Sequence, residues 1–436
     1  MSGGLWAGIV GFSAMLALIA FGVPVALAMG TVAIVGLWAT FGSTFLLSTI
    51  QSLPYSFASD YNFVVVPLFV LMGAIAARAN IIADLYTAAY RLMSQVRGSL
   101  MMATVVAQAL FAAVSGSTTA AASVFTRMAL PEMLRFRYDP GVAAASVAAA
   151  GTLAGLIPPS IAMVLYAILT GEPIGSLLIA GILPGLLTAV AYIVGIRVML
   201  VFRPEWAPVS AERFDWPQRL SALGRTWSIL LLIAVVLGGI YGGVFPPSAA
   251  GAVGAAGALA IALGMRRLKR GHLWESLLES ARVSAVLFVI VVAGLMFSRF
   301  LVASGFIEAF RLLVVESDIG VAGFIAITLG IFLVLGMFVD SVSLMVLTLP
   351  FLYPIAKSLG IDGIWFGVLV VKLIEVAAIS PPVGLNLFAV LAASGGKVGA
   401  ERLYRGVIPF LLMDAVVLAL LLAFPAISTW LPALMG

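Results

Sequence analysis

The chain has 436 residues, 63% of them hydrophobic and only 9% charged, with a mean hydropathy of +1.20. That balance excludes a soluble domain, and recurring apolar runs of spanning length, without the short alternating segments of a barrel, mark a polytopic α-helical membrane protein. The net charge of +5 is assigned to membrane-flanking loops and not to nucleic-acid binding, and the lack of Cys excludes disulfides and thiolate metal sites.

Leu5 to Phe21 lacks a basic leading region and reads as a retained helix, not a cleaved signal peptide. Helices follow near 24–40 and 62–78. The segment 99–130 is apolar, polar at Ser115-Gly116-Ser117-Thr118-Thr119, and apolar again to Leu130. The next stretch, 141–171, carries Pro158-Pro159. Each Pro removes a donor and clashes with the preceding turn, so the pair breaks the helix. A closing helix covers 177–200. The same parts then return: helices near 227–244, 247–264 and 282–303, an interrupted segment at 321–355 that is polar from Gly336 to Ser343, a stretch at 363–394 broken at Pro381-Pro382, and a closing helix at 406–430. No loop is long enough to be a further domain.

One offset of 223 residues relates these parts without gaps. It maps Pro24 to Pro247, Pro131 to Pro354, Asp139 to Asp362, and Pro158-Pro159 to Pro381-Pro382. The chain therefore reads as two repeats, 1–222 and 223–436, with about ten transmembrane helices and two re-entrant hairpins. Each interrupted segment is either a hairpin or a single kinked span, and charge favours the hairpin. With five crossings and one hairpin per half, the repeats have inverted topology, and the segments 78–97, 135–137, 203–225, 266–270 and 397–405 share one side. They hold 16 of the 23 Lys and Arg residues. The opposite side keeps Arg311 and Lys357, with Glu308, Glu316 and Asp318. The positive-inside rule then places both termini outside the cytoplasm. The basic run at 266–270 sets topology and touches anionic lipid, and His272 beside it is a solvated loop residue.

Unwound backbone at membrane depth survives only where protein or a polar cavity covers it, and paired breaks in two halves mark a carrier's substrate and ion site. The repeat pairs Ser117 with Asp340, Thr118 with Ser341, and Thr152 with Glu375. With Ser115, these offer hydroxyl, carbonyl and carboxylate oxygens, which suit Na⁺ as a coupling ion, while half-helix N-termini suit an anion. Two such sets imply at least two cation sites. Asp340 serves a cation or stabilises its tip, since a carboxylate at this depth is costly. Glu375 and Lys372, three apart on one helix, are expected to pair. Thr119 and Ser343 either join the site or bond back to their own helices. Arg127 and Arg299 are candidate partners for a substrate carboxylate, with snorkelling as the alternative. Catalysis has no support. The only His lies in a loop, no base serves the Ser115-Gly116-Ser117 stretch, and no phosphate-binding loop is present. Transport is thus driven by an ion gradient or by downhill flow, with no cofactor.

Gly151 to Ser160, followed by Leu165-Tyr166-Ala167-Ile168-Leu169-Thr170-Gly171 and Gly181-Ile182-Leu183-Pro184-Gly185, resembles the large membrane subunit of tripartite ATP-independent periplasmic (TRAP) transporters. So do Gly22-Val23-Pro24 and Ser380-Pro381-Pro382-Val383-Gly384-Leu385-Asn386. The resemblance spans essentially the whole chain. It implies Na⁺-coupled import of a carboxylate, sugar acid or other organic anion across a bacterial or archaeal inner membrane. It also implies a small four-helix membrane subunit, expected as a separate chain, a periplasmic substrate-binding protein, and an elevator-type fold whose hairpins and broken helices move against a scaffold. Its sodium sites would fall near Ser115 to Thr118 with Gly151, Thr152, Gly155 and Pro158, and near Gly336, Asp340 and Ser341 with Glu375 and Ser380. Ser160 and Asn386, beside the breaks, join the arginines as substrate candidates. The competing readings are a self-sufficient Na⁺/carboxylate symporter, a channel and an intramembrane enzyme. The substrate itself is not legible.

Overall fold

A computed structural model describes residues 2–209, 212–316 and 319–434; Asp318 and both terminal residues lie outside that range. Among the described residues every regular element is a helix. The chain opens with α1 (Ser2–Ala20), α2 (Val25–Ala58), α3 (Val65–Arg78) and α4 (Ile81–Met93). Gly42, at φ 81 and ψ 174, bends α2 into two pieces. Next come α5 (Ser99–Ser115) and α6 (Thr118–Arg135), then α7 (Pro140–Gly151), α8 (Leu153–Leu156) and α9 (Ile161–Thr170), then α10 (Ile174–Ala180) and α11 (Ile182–Phe202). The second half has α12 (Trp216–Gly224), α13 (Trp227–Tyr241), α14 (Pro247–Gly264), α15 (Arg270–Ala303) and α16 (Phe306–Glu316). It continues with α17 (Gly320–Gly336), α18 (Ser341–Ser358), α19 (Gly363–Ala378), α20 (Leu385–Ala393), α21 (Ala400–Ala423) and α22 (Ala426–Ala433).

Interrupted segment 99–130 is a hairpin. The rings of Phe111 and Phe125 lie 5.9 Å apart, whereas a continuous helix would separate those residues by about 21 Å. The offset of 223 carries both ends of α6 onto both ends of α18, and α4 onto the region of α16. It also explains the repeated Asp. Asp139 caps α7 by accepting the Val142 N–H at 2.9 Å, and Asp362 caps α19 by accepting the Trp365 N–H at 2.8 Å. Both Pro-Pro bonds are cis.

By length and composition seven described helices can cross a membrane, or nine if each of two bent pairs is one span. The expected count of ten differs because the pieces divide differently. In α1 only Gly4–Ala20 counts as an apolar run, just short of a span, and α18 is long enough yet folds back as a hairpin arm. Shorter amphipathic helices were not anticipated. In α4, Ile81, Ile82, Leu85, Tyr86 and Ala89 are buried along one face while Asp84 and Arg91 mark the other. Such a helix is too short and too polar-sided to register in a search for spanning runs.

Packing gathers elements of both halves into two bodies. In one, α2 and α3 pack on α15, and α3 also packs on α14. In the other, α7 packs on α21, α20 on α6 and α7, and α11 on α21. The basic segments meet on one face. Arg91 donates to the Gln218 carbonyl at 3.3 Å, the Asp139 N–H donates to the Trp206 carbonyl at 2.9 Å, Arg267 pairs with Asp84, and Arg78 pairs with Glu279 at 2.6 Å.

Candidate functional site

Each hairpin seats its tip on the broken helix of its own half. Gly116 closes α5 at φ +59, and a Cβ there would stand 2.7 Å from the Pro159 carbonyl oxygen, so a side chain would lift the first tip off the Pro-Pro loop. At the second tip the Gly384 N–H, just beyond Pro381-Pro382, donates to the Met337 carbonyl at 3.2 Å. The backbone freed by the Pro pairs is thereby covered by protein, as its membrane depth demands.

Between the tips lies a cavity of about 230 Å³, lined by Gly116, Ser117, Thr118 and Thr119 from one tip and by Asp340, Ser341 and Val342 from the other. Gly155 and Glu375 contribute from the broken helices, and Val283 and Leu287 from α15. Glu375 is 1% exposed, and its Oε2 has no hydrogen-bond partner. Its carboxylate presses so closely on Gly155 that a Cβ at 155 would collide with it. Asp340 caps α18, its Oδ1 accepting the Val342 and Ser343 N–H groups at 3.1 and 3.0 Å. Two carboxylates and several hydroxyls around one small volume suit a hard cation, and the N-termini of α6 and α18 at the same place add partial positive charge suited to an anion.

A wider cavity of about 770 Å³ shares Ser117 and Thr119 and opens between α3, the first hairpin and α15. Ser115, Ser123, Arg127 and Arg78 line it. The Ser115 hydroxyl is buried without a partner.

The other expected residues are placed as follows. Gly151 lies against the Thr118 carbonyl, and Gly336 against Ala377. Pro158 is buried at the first break, and the Ser380 hydroxyl donates to the Val376 carbonyl at 2.8 Å before the second. The Ser343 hydroxyl is buried and unpartnered. Asn386 donates to the Ala148 carbonyl at 3.4 Å, leaving its Oδ1 unpartnered. Ser160 is used internally: it donates to the Gly155 carbonyl at 2.6 Å and accepts the Met163 N–H at 3.2 Å as the cap of α9. Thr152 turns away from the cavity, donating to the Ala149 carbonyl at 2.6 Å and lying 3.3 Å from the Tyr192 hydroxyl. Arg299 is exposed, its guanidinium 5.4 Å from the ring centroid of Phe45, outside both cavities.

One expectation is corrected. Lys372 pairs with Asp414, Nζ to Oδ1 at 2.5 Å, and not with Glu375. Asp414 is 42 residues further along the chain, and an ion pair follows space, not helical spacing. The Tyr192 hydroxyl lies 2.9 Å from both Asp414 oxygens. Asp414 escaped the sequence reading although its signal was there: the one charged residue in the apolar stretch 406–423 of α21.

Paired hairpins and broken helices closing on buried oxygen donors define a membrane permease, not an enzyme. The chain belongs to the family described as tripartite ATP-independent periplasmic transporter, DctM component, whose model matches residues 12–427. It is 33% identical over 380 residues to the C4-dicarboxylate TRAP transporter large permease protein DctM of Pseudomonas aeruginosa, covering 87% of this chain and 88% of that one. It is 28% identical to the ectoine TRAP transporter large permease protein TeaC of Halomonas elongata, over 96% and 97% of the two chains. It is 29% identical to the sialic acid TRAP transporter large permease protein SiaM of Vibrio cholerae, over 86% and 87%. In fold it is similar to the crystal structure of the Alcanivorax borkumensis YdaH transporter, with TM-score 0.63 at 16% identity over 89% and 90% of the two chains. As a large permease subunit the chain is a multi-span inner-membrane protein of a secondary transporter that works with a substrate-binding protein and a small subunit.

Proposed function

We propose that this permease couples inward Na⁺ flow to import of an organic anion, a carboxylate or sugar acid, handed over by a periplasmic binding protein. The reading rests on the cavity between the hairpin tips, where Asp340 and the unpartnered Glu375 face Ser117, Thr118 and Ser341. A buried carboxylate lacking a partner is stabilised by a cation. The 770 Å³ cavity carrying Arg127 beside the same serines offers the anion a cationic wall. The small subunit supports the scaffold, and the hairpin body slides as an elevator carrying ion and solute together. The named relatives handle chemically diverse solutes, so the binding protein selects among them.

The test is uptake in proteoliposomes holding the permease, its small subunit and its binding protein. An inward Na⁺ gradient should drive concentrative uptake, and an equal K⁺ gradient should not. Equal rates with either ion would defeat the sodium reading. Robust uptake by the large subunit alone would defeat the need for the binding protein.

A further inference from the structure

One buried ion pair has no part in the cavity. The side chains of Lys372 and Asp414 are both 0% exposed. Tyr192 holds Asp414 from one side, and Thr188 Oγ1 lies 3.5 Å from the Lys372 ammonium. Stability alone does not account for such a pair. Taking two charges out of water costs about as much as their attraction returns, and apolar replacement is often neutral or better.

Its position suggests a use. Lys372 and Glu375 are i and i+3 on α19, so their Cβ atoms lie about 5–6 Å apart. The lysine stem has four flexible carbons. Glu375 is 1% exposed, and its Oε2 has no partner. In fully ionised form the three side chains sum to one negative charge, which one monovalent cation would balance. Without Asp414 they would sum to zero, and the ammonium would be the counter-ion of Glu375.

We propose that Asp414 is a positioning residue that, with Tyr192, holds a built-in cation away from Glu375 and so keeps that carboxylate available to an external cation. The inference rests on the reading of Glu375 as an ion ligand. It makes Lys372 an internal competitor of Na⁺, restrained by a residue on a different helix.

The test uses the full chain, purified for thermal melting with and without Na⁺ against a K⁺ control, and reconstituted with its partners for Na⁺-dependent uptake. Wild type should melt higher in Na⁺, and Glu375→Gln should lose that rise. Asp414→Asn should fold, lose the Na⁺-induced rise in Tm, and raise the apparent KM for Na⁺ about tenfold or more, with the rate at saturating Na⁺ much less affected. Removing the competitor in Lys372→Met/Asp414→Asn should restore both Na⁺ responses. An Asp414→Asn chain with wild-type Na⁺ dependence would overturn the proposal. So would one that fails to fold while the double variant folds, because the freed ammonium would then have found no place at Glu375. A double variant that stays insensitive to Na⁺ would also overturn it. A wild-type chain indifferent to Na⁺ would instead sink the sodium reading, and this inference with it.

Discussion

At the first hairpin tip Ser117 precedes its helix without capping it, while at the second tip Asp340, in the equivalent place, binds the N–H groups of Val342 and Ser343. The breaks differ in the same sense. Thr152 turns toward Tyr192, and its counterpart Glu375 faces the cavity with a free oxygen. The repeat thus reproduces the backbone plan, down to matching ends of α6 and α18, while all the acidic side chains at the tips and breaks come from the second half. Backbone geometry is dictated by where Pro, Gly and caps fall. Charge is a side-chain property and diverges freely on the same plan. On the proposed reading, a cation held by the first half would rely on neutral oxygens, whereas one held by the second would meet formal charge.

The sharpest way to break that contrast is at Glu375. Glu375→Gln should reduce Na⁺-driven uptake about ten- to hundredfold, the scale of one charge-assisted contact. Gly155→Ala should mimic it, because a Cβ at 155 would displace the Glu375 carboxylate. The overpacking itself costs about 1–3 kcal/mol. If Gly155→Ala transports with wild-type Na⁺ dependence, the carboxylate is not needed where it stands.

A smaller loss is expected at Asp340. Asp340→Ala removes a cap worth about 0.5–2 kcal/mol and one of the two cavity carboxylates. Uptake should fall severalfold with membrane insertion intact, and Asp340→Asn should recover the cap but not the Na⁺ affinity. Full recovery by Asn would reduce Asp340 to a tip stabiliser. Least of all should follow from Ser117→Ala, the loss of one neutral hydroxyl worth about 1 kcal/mol. Should Ser117→Ala prove as damaging as Glu375→Gln in the same Na⁺ titration, the asymmetry between the halves is wrong.

Much of this arrangement was legible in the residues. The Pro-Pro pairs marked the breaks, the polar interruptions at Ser115–Thr119 and Gly336–Ser343 marked the tips, and the common offset paired Asp139 with Asp362, whose capping role only the structure supplies. Local chemistry governs each of these, so local sequence reports it. The partner of Lys372 was not legible, since Glu375 is close in sequence and Asp414 is not. The neighbour of Arg299 was not legible for a similar reason: Phe45 lies on α2, far from it in sequence. The side chain of Thr152 went to a tyrosine on another helix, which no spacing rule anticipates. The amphipathic helices were missed because their polar faces dilute the hydropathy that reveals a span.

Those same helices set a mechanical bound. α4 and α16 are the connecting rods between the bundle of α2, α3 and α15 and the two hairpins, with 13 and 11 residues respectively. At 1.5 Å per residue they measure about 20 and 16 Å. In the proposed elevator movement, a rigid rod pivoting at one end would carry its far end no further from level than its own length, so the shorter rod would limit the stroke. The clasp between Arg267 and Asp84 fastens α4 to the turn before α15, and a full swing of that rod would have to open the clasp or carry the turn along.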